Sequence, residues 1–177
     1  MQRLVFALLA ASLAAVQGST LQQLSLDEMI QKSTAIVRGK GHVTGASFRG
    51  SVIYTHYQVQ VSETYKGVAA PQLDVAVLGG VANGIQQRFA GAPELREGED
   101  YVLFLWTSKT GLTQIIGLSQ GLFAVTPGAS SPFVVRAASS EQMLNAQGQP
   151  VSDSDIKLQL TDLRSRIQKS LASGGNQ

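Results

Sequence analysis

The spacing of apolar positions changes twice along the chain. It fits a helical period of about 3.6 residues after residue 24, a strand period of about two across the middle, and a helical period again after residue 152. Alternation and short apolar runs bounded by glycine predict β-strands, whereas steps of three and four predict helices. The pattern therefore predicts a mainly β domain with a short N-terminal helix and a C-terminal amphipathic helix.

The first helix has a start signal at Ser25. Ser25 is a suitable N-cap, and Glu28 completes the capping-box pattern three residues later. Leu24 and Met29 are spaced to form a hydrophobic staple across this cap. These signals predict a helix that begins after Ser25 and ends at about Ser33.

The clearest strand signal covers residues 52–65. Alternate positions place Tyr54 and His56 on one face and an apolar row on the other. A second alternating run covers residues 35–43, and the glycine-bearing stretch 44–50 between the two runs predicts a hairpin loop. Further strands are predicted at residues 73–78, 85–89, 101–106, 112–118, 122–125 and 133–137, with a polar turn at residues 82–84 between the first two.

These strands predict a small antiparallel β-barrel, closed or nearly closed. Residues 101–106 are apolar at every position, which predicts a central strand covered on both faces. Gly39 and Gly41 are placed to curve the strand that contains them. The final helix is predicted from Ser152 onward, with apolar steps at Ile156, Leu160, Leu163, Ile167 and Leu171.

Residues 1–18 have the three-part pattern of a secretory signal peptide. Arg3 supplies a positive charge, residues 4–16 are apolar, and small residues precede a cleavage point between Gly18 and Ser19. This apolar run is too short to span a bilayer, which requires about twenty residues. We therefore expect a secreted or periplasmic protein with no membrane span.

The predicted domain organisation has three parts. They are the signal peptide at residues 1–18, the barrel domain at 19–137, and a linker with the C-terminal helix and a frayed tail at 138–177.

Composition removes several classes of function. The sequence has no Cys, so disulfides, thiol nucleophiles and zinc-thiolate sites are excluded. Lys and Arg number 14 against 12 Asp and Glu. This surplus is too small to indicate binding to nucleic acid or to acidic membranes.

Several short motifs occur in an order found in a known family. Residues 33–40 start a strand, Tyr65-Lys66-Gly67 ends a long strand, and Gly98-Glu99-Asp100 precedes the apolar run. Over about residues 24–125, this order resembles the netrin-like OB-barrel of the tissue inhibitors of metalloproteinases. It resembles more closely a set of uncharacterised exported bacterial proteins with the same layout. The resemblance implies a netrin-like, OB-like barrel.

The sequence departs from those inhibitors at the mature N-terminus, the segment on which inhibition depends. In that family, a Cys at the mature N-terminus presents its amino group and carbonyl to the protease zinc, and disulfides hold that edge rigid. Here the predicted N-terminus is Ser19, and the chain has no Cys. The resemblance therefore transfers no inhibitory residue.

One predicted surface combines basic and aromatic side chains. The predicted binding residues Arg38, Lys40, His42, Tyr54 and His56 fall on the outward rows of the two longest strands. OB-folds use faces of this kind to bind single strands or sugars. A plain solvent-facing row is the alternative interpretation, because strands of half-buried sheets carry polar residues outward in any case.

Metal binding and catalysis have few candidates. His42 and His56, with Asp74 as the nearest carboxylate, provide too few ligands for a metal site, and two solvated histidines are the simpler interpretation. The sequence contains no Gly-x-Ser-x-Gly elbow, no phosphate loop and no EF-hand spacing. No catalytic residue, metal or cofactor is predicted.

The sequence thus predicts an exported, non-catalytic binding module whose partner is a protein or a polysaccharide. Two alternatives stay open. One is a small exported enzyme that uses His42 or His56, and the other is a structural envelope protein that assembles through its C-terminal helix.

Overall fold

The computed structural model describes residues 20–174, so the predicted signal peptide lies outside the described residues. The chain is mainly β. The helices are α1 Leu26–Lys32 and α2 Leu160–Gly174, with a short 3₁₀ helix at Leu118–Gly121. The strands are β1 Thr20–Gln22, β2 Ala35–Arg49, β3 Val52–Lys66, β4 Gln72–Leu78, β5 Gly80–Ala82, β6 Ile85–Gln87, β7 Asp100–Thr107, β8 Thr113–Ile115, β9 Leu122–Thr126, β10 Phe133–Arg136, β11 Gln142–Leu144, β12 Pro150–Val151 and β13 Ile156–Gln159.

The main sheet is antiparallel and strongly curled. Its strands follow the order β13-β10-β9-β7-β2-β3-β4, and β8 pairs with the end of β7. The curl brings β4 beside β8, but no ladder of hydrogen bonds joins them within residues 20–174. A closed barrel is therefore not detected, because the short strand β8 pairs with β7 and leaves β4 as the last strand of the order.

Two smaller sheets complete the β-structure. β5 and β6 form an antiparallel hairpin, and β1 pairs in parallel with β11, which in turn pairs with β12. The predicted turn between β5 and β6 is confirmed: Asn83 and Gly84 both have positive φ, at 51° and 76°, as a tight hairpin turn requires.

β2 and β3 form a hairpin longer than the sequence predicts. The predicted loop at residues 44–50 is wrong for most of its length, because 44–49 continue β2 and only Gly50 and Ser51 turn the chain. A register shift near Gly45 interrupts the alternation and so disguises the strand. Gly50 has a φ of 63°, which favours glycine at this tight turn.

The predicted start of α1 is confirmed in detail. The Ser25 hydroxyl accepts a hydrogen bond from the Glu28 N–H at 3.2 Å, and the Glu28 carboxylate accepts one from the Ser25 N–H at 2.9 Å. Leu24 and Met29, the predicted staple pair, belong to the same hydrophobic cluster. The capping box thus fixes where the chain turns from β1 into the helix.

The sheet separates two hydrophobic cores. The outer core lies between the sheet and both helices, and the inner core lies within the curl. Their buried members are, for the outer core, Leu26, Met29, Ile30, Ile36, Val102, Phe104, Phe123, Val134, Leu160, Leu163 and Ile167, and for the inner core, Val37, Tyr57, Val59, Val75, Val77, Leu95, Tyr101, Leu103, Leu105 and Ile115.

β7 contributes to both cores. Residues 101–105 alternate between the inner and the outer core, and all five are buried. The prediction of a strand covered on both faces is confirmed for these residues. Trp106 is the exception, because 44% of its surface is exposed where the strand ends.

The C-terminal helix begins later than the sequence predicts. α2 starts at Leu160, whereas Ile156 belongs to β13, which pairs with β10 at the edge of the main sheet. Ile156, Leu158 and Leu160 are spaced two apart and all contact the outer core, so a strand satisfies the same apolar pattern as a helix. Neither helix within residues 20–174 has the length and apolar character needed to cross a membrane.

A buried ion pair joins β10 to the segment before β13. The Arg136 guanidinium donates two hydrogen bonds of 2.8 Å to Asp153, and the two side chains are 7% and 3% exposed. Asp153 also accepts a hydrogen bond from the Ser139 N–H at 2.8 Å. Burial alone would raise the pKa of Asp153, but the hydrogen bonds from Arg136 and Ser139 outweigh it and hold the pKa of this carboxyl below its ordinary value.

We predict that Asp153→Ala lowers the free energy of unfolding by about 3 kcal/mol at neutral pH, because it leaves Arg136 buried and unpaired. Since the pKa of Asp153 is lower in the folded state, its contribution is complete above the ordinary carboxyl pKa of about 3.9 and is lost as the pH falls below that value. Urea unfolding at several pH values measures the difference in the free energy of unfolding between wild type and variant. This difference should shrink below about pH 4. Glu97→Ala, which removes an exposed carboxylate that has no hydrogen-bond or ion-pair partner within residues 20–174, is the matched control. Equal losses in the two variants, or a difference independent of pH, would contradict this account.

Candidate functional site

The outward face of β2, β3 and β4 carries a continuous group of polar side chains. Cross-strand register places Lys40 beside Gln60, His42 beside Gln58, and Gln58 beside Asp74. None of these five side chains is fully buried. We call this surface the polar face, and it consists of Lys40, His42, Ser47, Tyr54, His56, Gln58, Gln60, Gln72 and Asp74.

Four of the five predicted binding residues lie on the polar face. Lys40 is exposed, and His42, Tyr54 and His56 are half-buried. Register pairs Tyr54 with Ser47 and His56 with Gly45, so all four side chains leave the sheet on the same side. The alternation of β2 and β3 thus brings them together as the sequence predicts.

Arg38, the fifth predicted residue, is held by carboxylates. Its guanidinium donates to Asp100 at 2.6 and 2.9 Å and to Glu63 at 2.8 Å, and the side chain is 21% exposed. Glu63 also accepts a hydrogen bond from Arg164 of α2. The hydrogen bond to Asp100 raises the pKa of Arg38 above its ordinary value. Arg38 therefore links β2, β3, β7 and α2, and a ligand would have to compete with two carboxylates for it.

The two histidines do not form a metal site with other residues. His42 lies opposite Gln58, whereas His56 precedes Gln58 by two residues on β3, so the two histidines are not paired directly across the strands. No group of three or more metal-binding side chains is present in the described part of the chain, residues 20–174.

His56 instead connects a serine to a carboxylate. Its Nε2 lies 3.1 Å from the Ser47 hydroxyl, and its Nδ1 lies 3.0 Å from a carboxylate oxygen of Asp74. Ser47 comes from β2, His56 from β3 and Asp74 from β4, so three neighbouring strands supply the chain of contacts. The side chains of His56 and Asp74 are 27% and 64% exposed.

This arrangement assigns a tautomer to His56. A carboxylate only accepts hydrogen bonds, so Nδ1 must carry the proton that faces Asp74. In the neutral ring, Nε2 then accepts the hydrogen bond from the Ser47 hydroxyl. The order of groups is the one by which serine hydrolases activate a nucleophile. Here it stands on an open sheet surface.

Ser47 is the residue that the sequence did not single out. It lies in the predicted loop at residues 44–50, and a residue in a loop cannot be assigned to a face of the sheet. Once β2 is extended, Ser47 and Gly45 are two residues apart and therefore lie on the same face of the strand, and Gly45 pairs with His56. This spacing is the signal that could have placed Ser47 near His56. Gln58, Gln60 and Gln72 were missed because amides on an outward row look like ordinary surface residues.

Comparisons of the chain with protein-family models, with curated proteins and with solved structures found no match. The netrin-like resemblance therefore stays a prediction from the motifs. Function must be argued from the geometry of the polar face.

We predict that His56 is the Nδ1–H tautomer in the neutral protein and that Asp74→Ala abolishes this preference, because Asp74 is the acceptor that fixes it. Two-bond ¹H–¹⁵N correlation spectra of the imidazole rings distinguish the tautomers directly. The pattern of His42 should be the same in wild type and variant. A His56 ring that is unaffected by the substitution would show that the contact with Asp74 does not persist in solution.

Proposed function

We propose that the protein is an exported, non-catalytic binding module with a netrin-like, OB-like fold, and that its polar face binds a polysaccharide. The observation that carries this proposal is the polar face itself, an open surface rich in amide, hydroxyl and imidazole groups. Export is inferred from the pattern of residues 1–18.

The fold proposal is supported by the course of the main sheet. β2 is a long strand that pairs with β3 along one edge and with β7 along the other. The sheet curls until β4 lies beside β8, and helices pack on its outside. An OB-fold is a small, partly open barrel of this kind, and it binds oligosaccharides on a strand face.

The chemistry of the polar face favours a polysaccharide over a protein partner. Gln58, Gln60 and Gln72 offer amide donors and acceptors, and Gln58 already donates to Gln72 at 3.1 Å. Tyr54 adds an aromatic ring, while Lys40 and Asp74 nearly cancel in charge. Protein interfaces depend on buried apolar and aromatic anchors, which this face has only at Tyr54. A hydroxylated polymer requires many modest hydrogen bonds instead, each contributing about 1 kcal/mol.

We predict that the chain 19–177 binds a polysaccharide and that Tyr54→Ala with Gln58→Ala and Gln60→Ala weakens binding at least about tenfold, since an aromatic contact and several hydrogen bonds are lost. The probe is an array of immobilised neutral and anionic polysaccharides, including peptidoglycan fragments, followed by titration of any ligand retained.

Gln86→Ala with Gln147→Ala is the matched control, because both amides are exposed and lie off the polar face. The control should bind as wild type does. If no polysaccharide is retained while an exported protein is captured and lost by the triple variant, the polysaccharide assignment is wrong. If neither is retained, the binding function itself is overturned.

A small exported hydrolase is the second candidate, and the contact chain from Ser47 through His56 to Asp74 favours it. In such a reaction the Ser47 hydroxyl would transfer its proton to His56 Nε2 as its oxygen attacks an ester or acyl carbon. The exposure of the three groups weighs against strong catalysis, because water weakens the electrostatic stabilisation on which such reactions depend.

We predict that a fluorophosphonate probe labels Ser47 if this candidate is right. Labelling releases fluoride and leaves the phosphonyl group on the serine oxygen. It should disappear in Ser47→Ala, fall at least about tenfold in His56→Ala, and persist in Ser51→Ala, which removes an exposed serine at the nearby turn. Intact mass spectrometry measures the label, and an unlabelled wild type would remove the hydrolase candidate.

A further inference from the structure

Three hairpins meet at one end of the curled sheet. They are the β2–β3 turn at Gly50–Ser51, the β5–β6 turn at Asn83–Gly84, and the β7–β8 loop at residues 108–112. The Gln87 side chain ties the first two together, since it accepts from the Ile53 N–H at 2.7 Å and donates to the Ser51 carbonyl at 2.8 Å. We call this region the hairpin end.

The β7–β8 loop is tied to the same end. The Arg49 guanidinium donates to the Thr110 hydroxyl at 2.8 Å, which joins the last residue of β2 to the loop. The three hairpins therefore form one surface.

The hairpin end is cationic. Arg49, Arg88 and Lys109 are all exposed there. Residues 47–54, 79–89 and 106–114, which build this end, contain no Asp or Glu. Within residues 20–174, none of the three cations takes part in an ion pair. Their positive charge is therefore not neutralised locally.

Apolar side chains are also exposed on two of these hairpins. Phe48 is 36% exposed and Phe89 37%, while Val81 and Ile85 are 59% and 53% exposed. In the sequence, Phe48 precedes Arg49 and Phe89 follows Arg88, while Val81 and Ile85 flank the β5–β6 turn. Exposed apolar groups collected on one surface mark an interaction site more often than scattered ones do.

We infer that the hairpin end docks on an anionic phospholipid bilayer, with the cations at the headgroups and the four apolar side chains inserted among them. Basic residues near an anionic membrane are attracted to it, and apolar or aromatic side chains bury surface at the headgroup boundary. Phe48 lies on the β2–β3 hairpin, and the other three apolar groups lie on or beside the β5–β6 hairpin. A fluid lipid surface accepts such projections without a matching shape, whereas a stable protein interface requires a packed area of about 800 Å² on each partner.

The overall composition conceals this property. A formal net charge of +2 indicates no affinity for acidic membranes. The fold, however, gathers three uncompensated cations at one end, while acidic residues such as Glu63, Asp74 and Asp100 lie on other parts of the sheet. An anionic surface attracts mainly the charges that lie within a Debye length of it, about 8 Å, so the charge of this end matters more than the net charge of the chain.

The test is sedimentation of chain 19–177 with vesicles of phosphatidylethanolamine and phosphatidylglycerol in a 7:3 ratio (about 30% anionic lipid). The chain lacks the apolar segment at residues 4–16, which would bind lipid by itself, and it retains every described helix and strand. We expect saturable binding that falls at least about tenfold in Arg49→Gln with Arg88→Gln and Lys109→Gln, given the attraction of each cation to an anionic surface. Ile85→Ser with Phe89→Ser should also weaken binding at low salt, where charge alone would persist.

The matched control is Lys32→Gln with Lys157→Gln and Lys169→Gln, which removes the same charge from exposed residues that lie on neither the hairpin end nor the polar face. It should bind vesicles as wild type does. An equal loss in the control would show attraction of net charge only, and equal binding to phosphatidylcholine vesicles would show that anionic lipid is not recognised; either overturns the inference. Absence of vesicle binding, with capture of an acidic protein that the cation variant loses, would overturn it in favour of a protein partner. Because none of the tested cations or apolar residues lies on the polar face, failure here leaves the proposed polysaccharide binding untouched.

Discussion

The structure depends on a close backbone approach at the bend of β2. This strand pairs with β7 along its first part and with β3 along its full length, so it must curve while both edges stay hydrogen-bonded. At Gly39 a Cβ atom would lie 2.2 Å from the Gln60 carbonyl oxygen, a distance that no side chain can occupy. Only glycine allows β2 and β3 to come this near at that point, and the register shifts beside it let the strand continue. This close approach lies within the curled part of the sheet, which brings β4 beside β8 around the inner core.

Charged side chains then fix the helices on the outside of this curled sheet. Arg38 sits next to Gly39 and joins Asp100 and Glu63, and Glu63 accepts from Arg164 of α2. Lys66 donates to the carbonyl of Ile30 at 2.7 Å and so satisfies the end of α1, while burial lowers the pKa of this lysine. Burial of apolar surface in the outer core supplies most of the attraction between helices and sheet. The polar links set the orientation, because each fails if a helix rotates.

Local signals were enough to predict much of this fold. The capping box at Ser25 and the turn at Asn83–Gly84 depend on residues close in sequence, and the double burial of residues 101–105 is indicated by an apolar residue at every position. The predictions are wrong where the same residues fit two kinds of local structure equally well. Residues 44–49 continue a strand because a bulge interrupts their alternation, and Ile156 belongs to a strand whose spacing also fits a helix. In both places, pairing with distant residues decided between the patterns, and that information is not present in a short window of sequence.

The candidate site was predictable in some of its members and in none of its connections. Alternation alone placed Lys40, His42 and His56 on one face, but it could not show that His56 contacts Ser47, because that contact needs the extended β2 and its register with β3. Nor could it show that Arg38 is occupied by carboxylates from two other strands. Such contacts depend on register across strands, which a single sequence leaves open.

The polar face and the hairpin end are parts of the same strands, and this continuity relates the two proposed roles. Ser47 of the polar face and Arg49 of the hairpin end are two residues apart on β2, so both side chains leave the sheet on the same side. From Tyr54 near that end, the polar face extends along β3 to Gln60, a distance of about 20 Å at the usual strand rise. With the hairpin end against a bilayer, the strands would extend away from the membrane. The polar face would then be roughly perpendicular to the membrane plane and would not contact the headgroups. A polymer lying just above the membrane would then reach the face without displacing lipid, so the two surfaces can be occupied at the same time.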